Sequence, residues 1–286
     1  MRYFVLITGA SSGIGQSACI ALLGKGYYVI AGVRNLKDAD PVVALGGDHV
    51  LPLLMDVTDT AAITKARNTA EQWIGDGALV AIFNNAGVVV HGSVLHIPVD
   101  AWRQQFEVNV LGVITVTQLF FPLLAKPRQA GDTHPRRILQ MGSVSGLFTS
   151  PFLGPYAASK YALEALSDAL RRELYMHDIQ LVIIEAGNIT TPIWEKARQG
   201  SSYFGKEYES ILQHKDRMID GLIADGIPVR FVDDIVLKAV MRSKVRTRYL
   251  VKRKKWLFNL IRLLPAKWVD QMIANNLRKK SGIRPF

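Results

Sequence analysis

Residues 3–15 read Y-F-V-L-I-T-G-A-S-S-G-I-G, and the arrangement of the whole chain turns on this stretch. Tyr3 to Thr8 is a short apolar run, as expected for a strand buried on both faces. Gly9, Gly13 and Gly15 follow it, and a helical pattern then runs to about Lys25. A glycine turn between strand and helix lets the backbone approach a phosphate, and the positive end of the helix attracts its charge. Ser11, Ser12 and Ile14 complete the turn. The spacing is G-x-x-x-G-x-G rather than G-x-G-x-x-G, so the triplet alone would also suit a plain strand–helix turn.

Downstream the alternation repeats. Strands are expected at 27–33, 49–54, 79–84, 137–142, 180–185 and 247–251, with helices near 59–75, 99–125 and from Pro155 to about 178. This pattern predicts an α/β fold, a doubly wound parallel sheet of Rossmann type with helices on both faces. Ligands of such sheets sit beyond the carboxyl ends of the strands. Gly9–Gly15, Arg34, Asp56 with Val57, the run N-N-A-G at 84–87, Ser143 and Gly187 then share one edge. The second strand ends in Arg34 with no acid at its tip. An arginine there suits a ribose 2′-phosphate, which favours NADP over NAD; a solvated surface arginine is the alternative. Asp56 is placed either to meet an adenine amino group or to cap a helix.

The chemistry is expected in S-V-S-G-L-F-T-S-P-F-L-G-P-Y-A-A-S-K, residues 143–160. Tyr156 and Lys160 stand at i and i+4, on one face of a helix that starts near Pro155. A tyrosine at its ordinary pKa near ~10 is a poor acid or base at neutral pH, and a fixed ammonium beside it favours the phenolate. Ser143 would hold the same reacting oxygen. Asn109 lies on an apolar helical face and needs a backbone carbonyl or a trapped water as partner. Taken alone, Y-x-x-x-K fits an ordinary amphipathic helix; six loops converging on one crevice outweigh that.

T-G-x-x-x-G-I-G, N-N-A-G, the in-helix Asn, Ser and Y-x-x-x-K together resemble the short-chain dehydrogenase/reductase family over about residues 3–250. The resemblance implies hydride transfer between NAD(P) and an alcohol or ketone. Tyr156 would be the general acid/base, Lys160 would lower its pKa and bind the nicotinamide ribose, and Ser143 would polarise the substrate oxygen. Asn109 would hold a water that links Lys160 to solvent. Asn85, Ala86, Gly87, Gly187, Ile189 and Thr191 would contact the cofactor. The family usually has Pro before the glycine at 187, where this chain has Ala186, and Ser12 stands where some NADP-using members carry a basic residue. The catalytic segment is similar to members acting on steroids, retinols and other lipophilic alcohols. Val144, Phe148, Phe152 and Trp194 would then line an apolar substrate pocket beside Ser143 and Tyr156. The family also pairs through two long helices, so a homodimer or homotetramer is expected.

Charge is distributed unevenly. The 286 residues carry 35 Lys and Arg against 24 acids, a net +11. Residues 242–286 hold 14 of those bases and a single acid, Asp270, so the rest of the chain is close to neutral. Residues 1–251 read as one domain and 252–286 as a basic helical extension. Leu257, Leu260, Ile261 and Leu264 recur at helical spacing, Pro265 breaks the pattern, and Trp268, Val269, Met272, Ile273 and Leu277 resume it. Two such helices suit an anionic membrane surface. They suit equally a docked position shaping the pocket mouth, and the two are compatible. Nucleic acid is not an expected partner, because the tail interleaves bulky aliphatics with its charges. No metal site is expected. The single Cys19 cannot form an internal disulfide, the N-terminal apolar run is too short for a signal peptide, and no long apolar stretch reads as a membrane span. A cytoplasmic enzyme, peripheral on a membrane through its tail, is the expectation. A catalytically silent nucleotide-binding or membrane-tethered scaffold of the same fold is the alternative.

Overall fold

The computed structural model describes residues 1–192, 195, 198 and 203–281. Its centre is a seven-stranded, all-parallel sheet in the order β3-β2-β1-β4-β5-β6-β9. The strands are β1 (Tyr3–Thr8), β2 (Tyr28–Val33), β3 (Val50–Leu54), β4 (Ala78–Asn84), β5 (Arg136–Ser143), β6 (Ile179–Ala186) and, after two short strands, β9 (Arg248–Val251). The short pair, β7 (Ile189–Thr190) and β8 (Ile227–Pro228), lies outside the main sheet. Inner strands are nearly continuous apolar runs because helices cover both faces. Phe4 to Ile7 and Leu79 to Phe83 are fully buried or within a percent of it.

Helix α1 (Gly13–Leu23), α2 (Asp40–Gly46) and, later in the chain, α9 (Arg230–Met241) pack on one face; α3 (Thr60–Ile74) and α5 (Gly112–Leu124) pack on the other. β2 and β3 lie on one side of β1, and β4 with the later strands on the other. The strand order therefore reverses between β1 and β4. The crevice at such a point is where open α/β sheets bind ligands.

The single helix expected over 99–125 is interrupted. α4 (Val99–Phe106) passes into a π-helical turn over Glu107–Leu111 before α5 begins. The wide turn presents Asn109, which is buried. By length and composition Val99–Leu124 is apolar enough to cross a membrane, contrary to the expectation that no stretch would be. Its apolarity serves the core instead: Phe120 and Leu124 are fully buried in the cluster beneath β4 and α3.

α6 (Gly154–Glu173) starts one residue before Pro155, which occupies the first turn without disrupting it. The region after Thr191 contains α7 (Glu209–Leu212) and α8 (Lys215–Ala224). Beyond β9 the chain turns through Lys254, a non-glycine residue in the left-handed region (φ 50°), into α10 (Lys255–Ile261). α11 (Ala266–Ser281) follows Pro265. The helical reading of the tail and its break at Pro265 are thus observed.

Arg248 of β9 anchors this end. It bonds Glu164 and Asp168 of α6 at 3.1 and 2.9 Å and pairs with Glu185 of β6 at 3.3 Å.

Candidate active site

A cleft of about 1140 Å³ runs along the carboxyl edge of the sheet. At one end the glycine turn forms its floor. Gly9 has φ +65°, which a side chain rarely adopts, and a Cβ on Gly15 would overlap the Gly9 carbonyl oxygen. The run after β4 locks this turn in place. The Asn85 side-chain amide donates to the carbonyls of Thr8 and Gly9 at 3.0 and 3.1 Å. The Thr8 hydroxyl accepts from the backbone N–H groups of Asn85 and Ala86, both at 3.0 Å. From the other side of the cleft, Thr191 packs over Gly13.

These residues fit a dinucleotide. Ser11, Ser12, Gly13, Ile14, Arg34, Asp56, Val57, Asn85, Ala86, Gly87, Gly187, Ile189 and Thr191 all line the cleft. α1 has no acid in its first turn to repel a phosphate. Arg34 is exposed and, among the described residues, has no ion pair. Asp56 does not cap a helix. One oxygen accepts from the Thr58 N–H and hydroxyl at 2.9 and 2.8 Å, while Asp59 caps α3 through the N–H groups of Ala61 and Ala62.

In the middle of the cleft Ser143 ends β5, and α6 delivers Tyr156 and Lys160. Burial raises the Tyr156 pKa above its ordinary value, opposed by a hydrogen bond with Ser143. Lys160 donates to the Met141 carbonyl at 2.7 Å, and its Nζ lies 5.7 Å from the Tyr156 ring centroid. Burial lowers its pKa to about 8, partly offset by the Glu164 carboxylate. The expected lowering of the phenol by the ammonium is therefore not the dominant effect here. The desolvated phenol stays neutral at pH 7, and the ammonium keeps its charge only below about pH 8.

Asn109 finds backbone partners, as its burial demanded. Its amide accepts from Val88 N–H at 2.9 Å and donates to Val88 carbonyl and Ser159 hydroxyl, both at 3.1 Å. The Ser159 hydroxyl in turn donates to the Tyr156 carbonyl at 2.7 Å. Sequence reasoning missed Gln105, which is fully buried. It accepts from Val90 N–H and donates to the Val88 carbonyl, both at 2.7 Å. Its spacing, four residues before Asn109, was the available signal.

The far end is apolar. Val144, Phe148 and Phe152 line it as expected, and the Phe152 ring lies tilted against Phe204 at 5.2 Å and edge-on to Tyr208 at 5.5 Å. Phe152 holds φ 66°, a costly conformation for a bulky residue. Trp194 lies outside the described residues. The tail closes this end: Leu257, Phe258, Ile261, Val269, Ile273 and Leu277 face into the cleft, and the Phe258 ring meets Phe148 edge-on at 6.2 Å. Phe258 is buried, so the first tail helix touches the body at this point, and both readings of the tail remain compatible with that.

Comparison with known proteins matches the short chain dehydrogenase model over residues 3–202. An NADPH-dependent 3-dehydrocapnine reductase of Ornithobacterium rhinotracheale is 37% identical, over 98% of this chain and 98% of its own. The bovine (Bos taurus) 17-beta-hydroxysteroid dehydrogenase type 6 is 29% identical, over 99% of this chain and 89% of its own. A Streptomyces avermitilis short-chain dehydrogenase structure superposes with TM-score 0.77 at 23% identity, covering 100% and 99% of the two chains. The fold thus has a counterpart along the whole length, and the chain belongs to the short-chain dehydrogenase family.

Proposed function

We propose that this oxidoreductase reduces a lipophilic ketone to its alcohol with NADPH. The observation that carries the reading is that Tyr156, Ser143 and Lys160 line the middle of the same cleft as the glycine turn, and the name of the Ornithobacterium relative supports reduction. A phenol is protonated at neutral pH and can give its proton to a ketone oxygen. Tyr156 donates that proton, and Ser143 hydrogen-bonds the same oxygen and fixes its position. Lys160, charged below about pH 8, lowers the cost of the phenolate that remains. Asn109 and Ser159 brace the backbone at Tyr156 through their hydrogen bonds. Gly9–Gly15, Asp56 and Val57, Asn85–Gly87, Gly187, Ile189 and Thr191 hold the dinucleotide, and Arg34 meets its 2′-phosphate. The bound nicotinamide supplies the hydride.

NADPH use is supported by the exposed Arg34, which has no ion pair among the described residues, and by the name of the Ornithobacterium relative. A lipophilic substrate is supported by the apolar far end and by the name of the bovine relative. Two finer features belong to the same reading. Leu111 and Tyr161, large and exposed on the two long helices, support pairing of chains there. Trp256 and Trp268, 69% and 60% exposed beside Lys255 and Lys267, support a peripheral membrane seat for a cytoplasmic enzyme.

The test is turnover of a panel of long-chain and polycyclic ketones with NADPH and with NADH, wild type against Tyr156→Phe. The substitution should cost ~10²–10⁴ in kcat while leaving NADPH binding intact. NADPH binding with no Tyr156-dependent product from any ketone would leave the silent, nucleotide-binding reading standing.

A further inference from the structure

We propose that Glu164 is a positioning residue for the reduction: one helical turn beyond Lys160, its carboxylate keeps the Lys160 ammonium charged beside Tyr156. This inference rests on the reductase reading above and adds a residue to its machinery.

Tyr156, Lys160, Glu164 and Asp168 follow one another at intervals of four along α6. Four residues of helix rise about 6 Å, so these side chains form one line on a single face. Lys160 and Glu164 are 5% and 8% exposed. Both reach the same piece of β5. Lys160 donates to the Met141 carbonyl at 2.7 Å, and a Cβ on the next residue, Gly142, would stand 3.1 Å from Glu164 Oε1. A Cβ on Gly146 would meet the Lys160 carbonyl oxygen at 2.8 Å and Glu164 Cγ at 3.1 Å. Glycine at these two positions lets the Lys160–Glu164 turn lie close to the strand.

The charges around this turn come from four elements: Tyr156, Asp168 and Arg171 on α6, Glu185 on β6, Arg248 on β9 and Arg262 on α10. Arg248 is shared by three carboxylates, those of Glu164, Asp168 and Glu185. Asp168 has a second cation in Arg171 at 3.4 Å, and Glu185 feels the charge of Arg262. The second cation for Glu164 is Lys160. Arg248 bonds Oε2 of Glu164; Oε1 is buried and, among the described residues, has no hydrogen-bond partner. A buried carboxylate oxygen needs compensation, and a neighbouring ammonium supplies it through charge.

The benefit to the reaction lies in Lys160. Burial drives this lysine toward its neutral form, and the Glu164 charge opposes that. The Met141 carbonyl fixes where Nζ sits but brings no net charge. Once Tyr156 has given up its proton, the phenolate ring centre lies 5.7 Å from Nζ, and a neutral lysine stabilises it far less than an ammonium. Burial and the Glu185 charge bring the Glu164 pKa to about 7. The help from Glu164 is therefore present above that pH and fades below it, where Lys160 keeps its charge unaided.

The test compares Glu164→Gln with wild type, both with NADP+ bound. Carbon NMR of Lys160 Cε, assigned with Lys160→Arg, reads the titration of the lysine directly. Its midpoint should fall by about one pH unit in the variant. The second readout is kcat/KM for a lipophilic ketone with NADPH as a function of pH. At pH 6 the two enzymes should be equal, and at pH 8 the variant should be about fivefold slower. Glu164→Asp, which keeps the charge, should recover part of that rate. Should Glu164→Gln lose NADPH binding, Glu164→Met, of similar bulk and without the buried polar group, is read in the same way. A side chain that only anchors β9 would leave the Lys160 midpoint in place and slow the variant equally at every pH; either result overturns the proposal. Failure of wild type to reduce any ketone, with NADPH bound, would overturn the reductase reading instead, and the Lys160 midpoint would still decide whether Glu164 holds the ammonium charged.

Discussion

The two ends of the cleft are built by opposite means. At the β1–β2 end the site is mostly backbone: a glycine turn, the N-terminus of α1, and the Thr8 and Asn85 bonds that lock them together. At the β9 end it is side chains, with basic residues from the turn after β9 and apolar ones from the two tail helices. The first end has little freedom to change, because its shape depends on the absence of Cβ atoms. The second tolerates change in any residue of similar bulk and so sets what the enzyme accepts. Fixed cofactor geometry and variable substrate geometry are thus separated along one edge of the sheet.

The largest test of this division is Gly15→Ala. Its Cβ would press on the Gly9 carbonyl and the Asn85 amide, so NADPH affinity should fall ~10–100-fold, measured by cofactor fluorescence. An alanine tolerated at full affinity would break the comparison at its backbone end. Phe258→Ala sharpens the other end. Removing the ring that meets Phe148 should raise KM for a lipophilic ketone about tenfold while leaving the NADPH dissociation constant unchanged. Equal loss of both affinities would mean that the tail supports the whole cleft.

The smallest effect probes how the β9 end is anchored. Burial and the neighbouring Glu185 charge raise the Glu164 pKa from 4.5 to about 7, against the pull of Arg248. Between those values the folded protein holds a proton that the unfolded chain has lost. This group's contribution to stability is therefore present below about 4.5 and declines as pH rises to 7. Glu164→Gln mimics the protonated form. Its Tm should match wild type near pH 5 and exceed it by about 2–4 °C at pH 8. A lower Tm at pH 8 would mean that the ionised Glu164–Arg248 pair holds β9 in place.

The contrast between the ends also explains what was legible in the sequence. The glycine turn, N-N-A-G, Ser143, Tyr156 and Lys160 could be read because each acts through local spacing or through the end of a strand. The alternation of strands and helices, and with it the parallel sheet, followed from the same short-range pattern. Asp56 was left between an adenine contact and a helix cap, because only the N–H partners decide, and these go to Asp59. The phenol's pKa was misjudged for a different reason. Spacing reveals a neighbouring ammonium, but desolvation depends on everything packed around the group. The tail was ambiguous because an amphipathic helix shows the same periodicity whether its apolar face meets lipid or protein. Lys254 and Phe152 gave no sign of their left-handed backbones, which tertiary contacts impose.

The π-helical turn at Glu107–Leu111 has a bearing on insertions and deletions. A turn of this kind holds one residue more than an α-helical turn, and each residue of an α-helix advances the face by about 100°. Removing one residue here would let the turn close as an ordinary α-helical one, with α4 and α5 keeping nearly their present phase, but the bulge that presents Asn109 would be lost. Asn109 would then leave the Val88 backbone that it now grips beside Gln105. Shortening the chain by one residue at this point should therefore spare the fold and damage the site. The length of this segment, and not only its composition, is part of the site's specification.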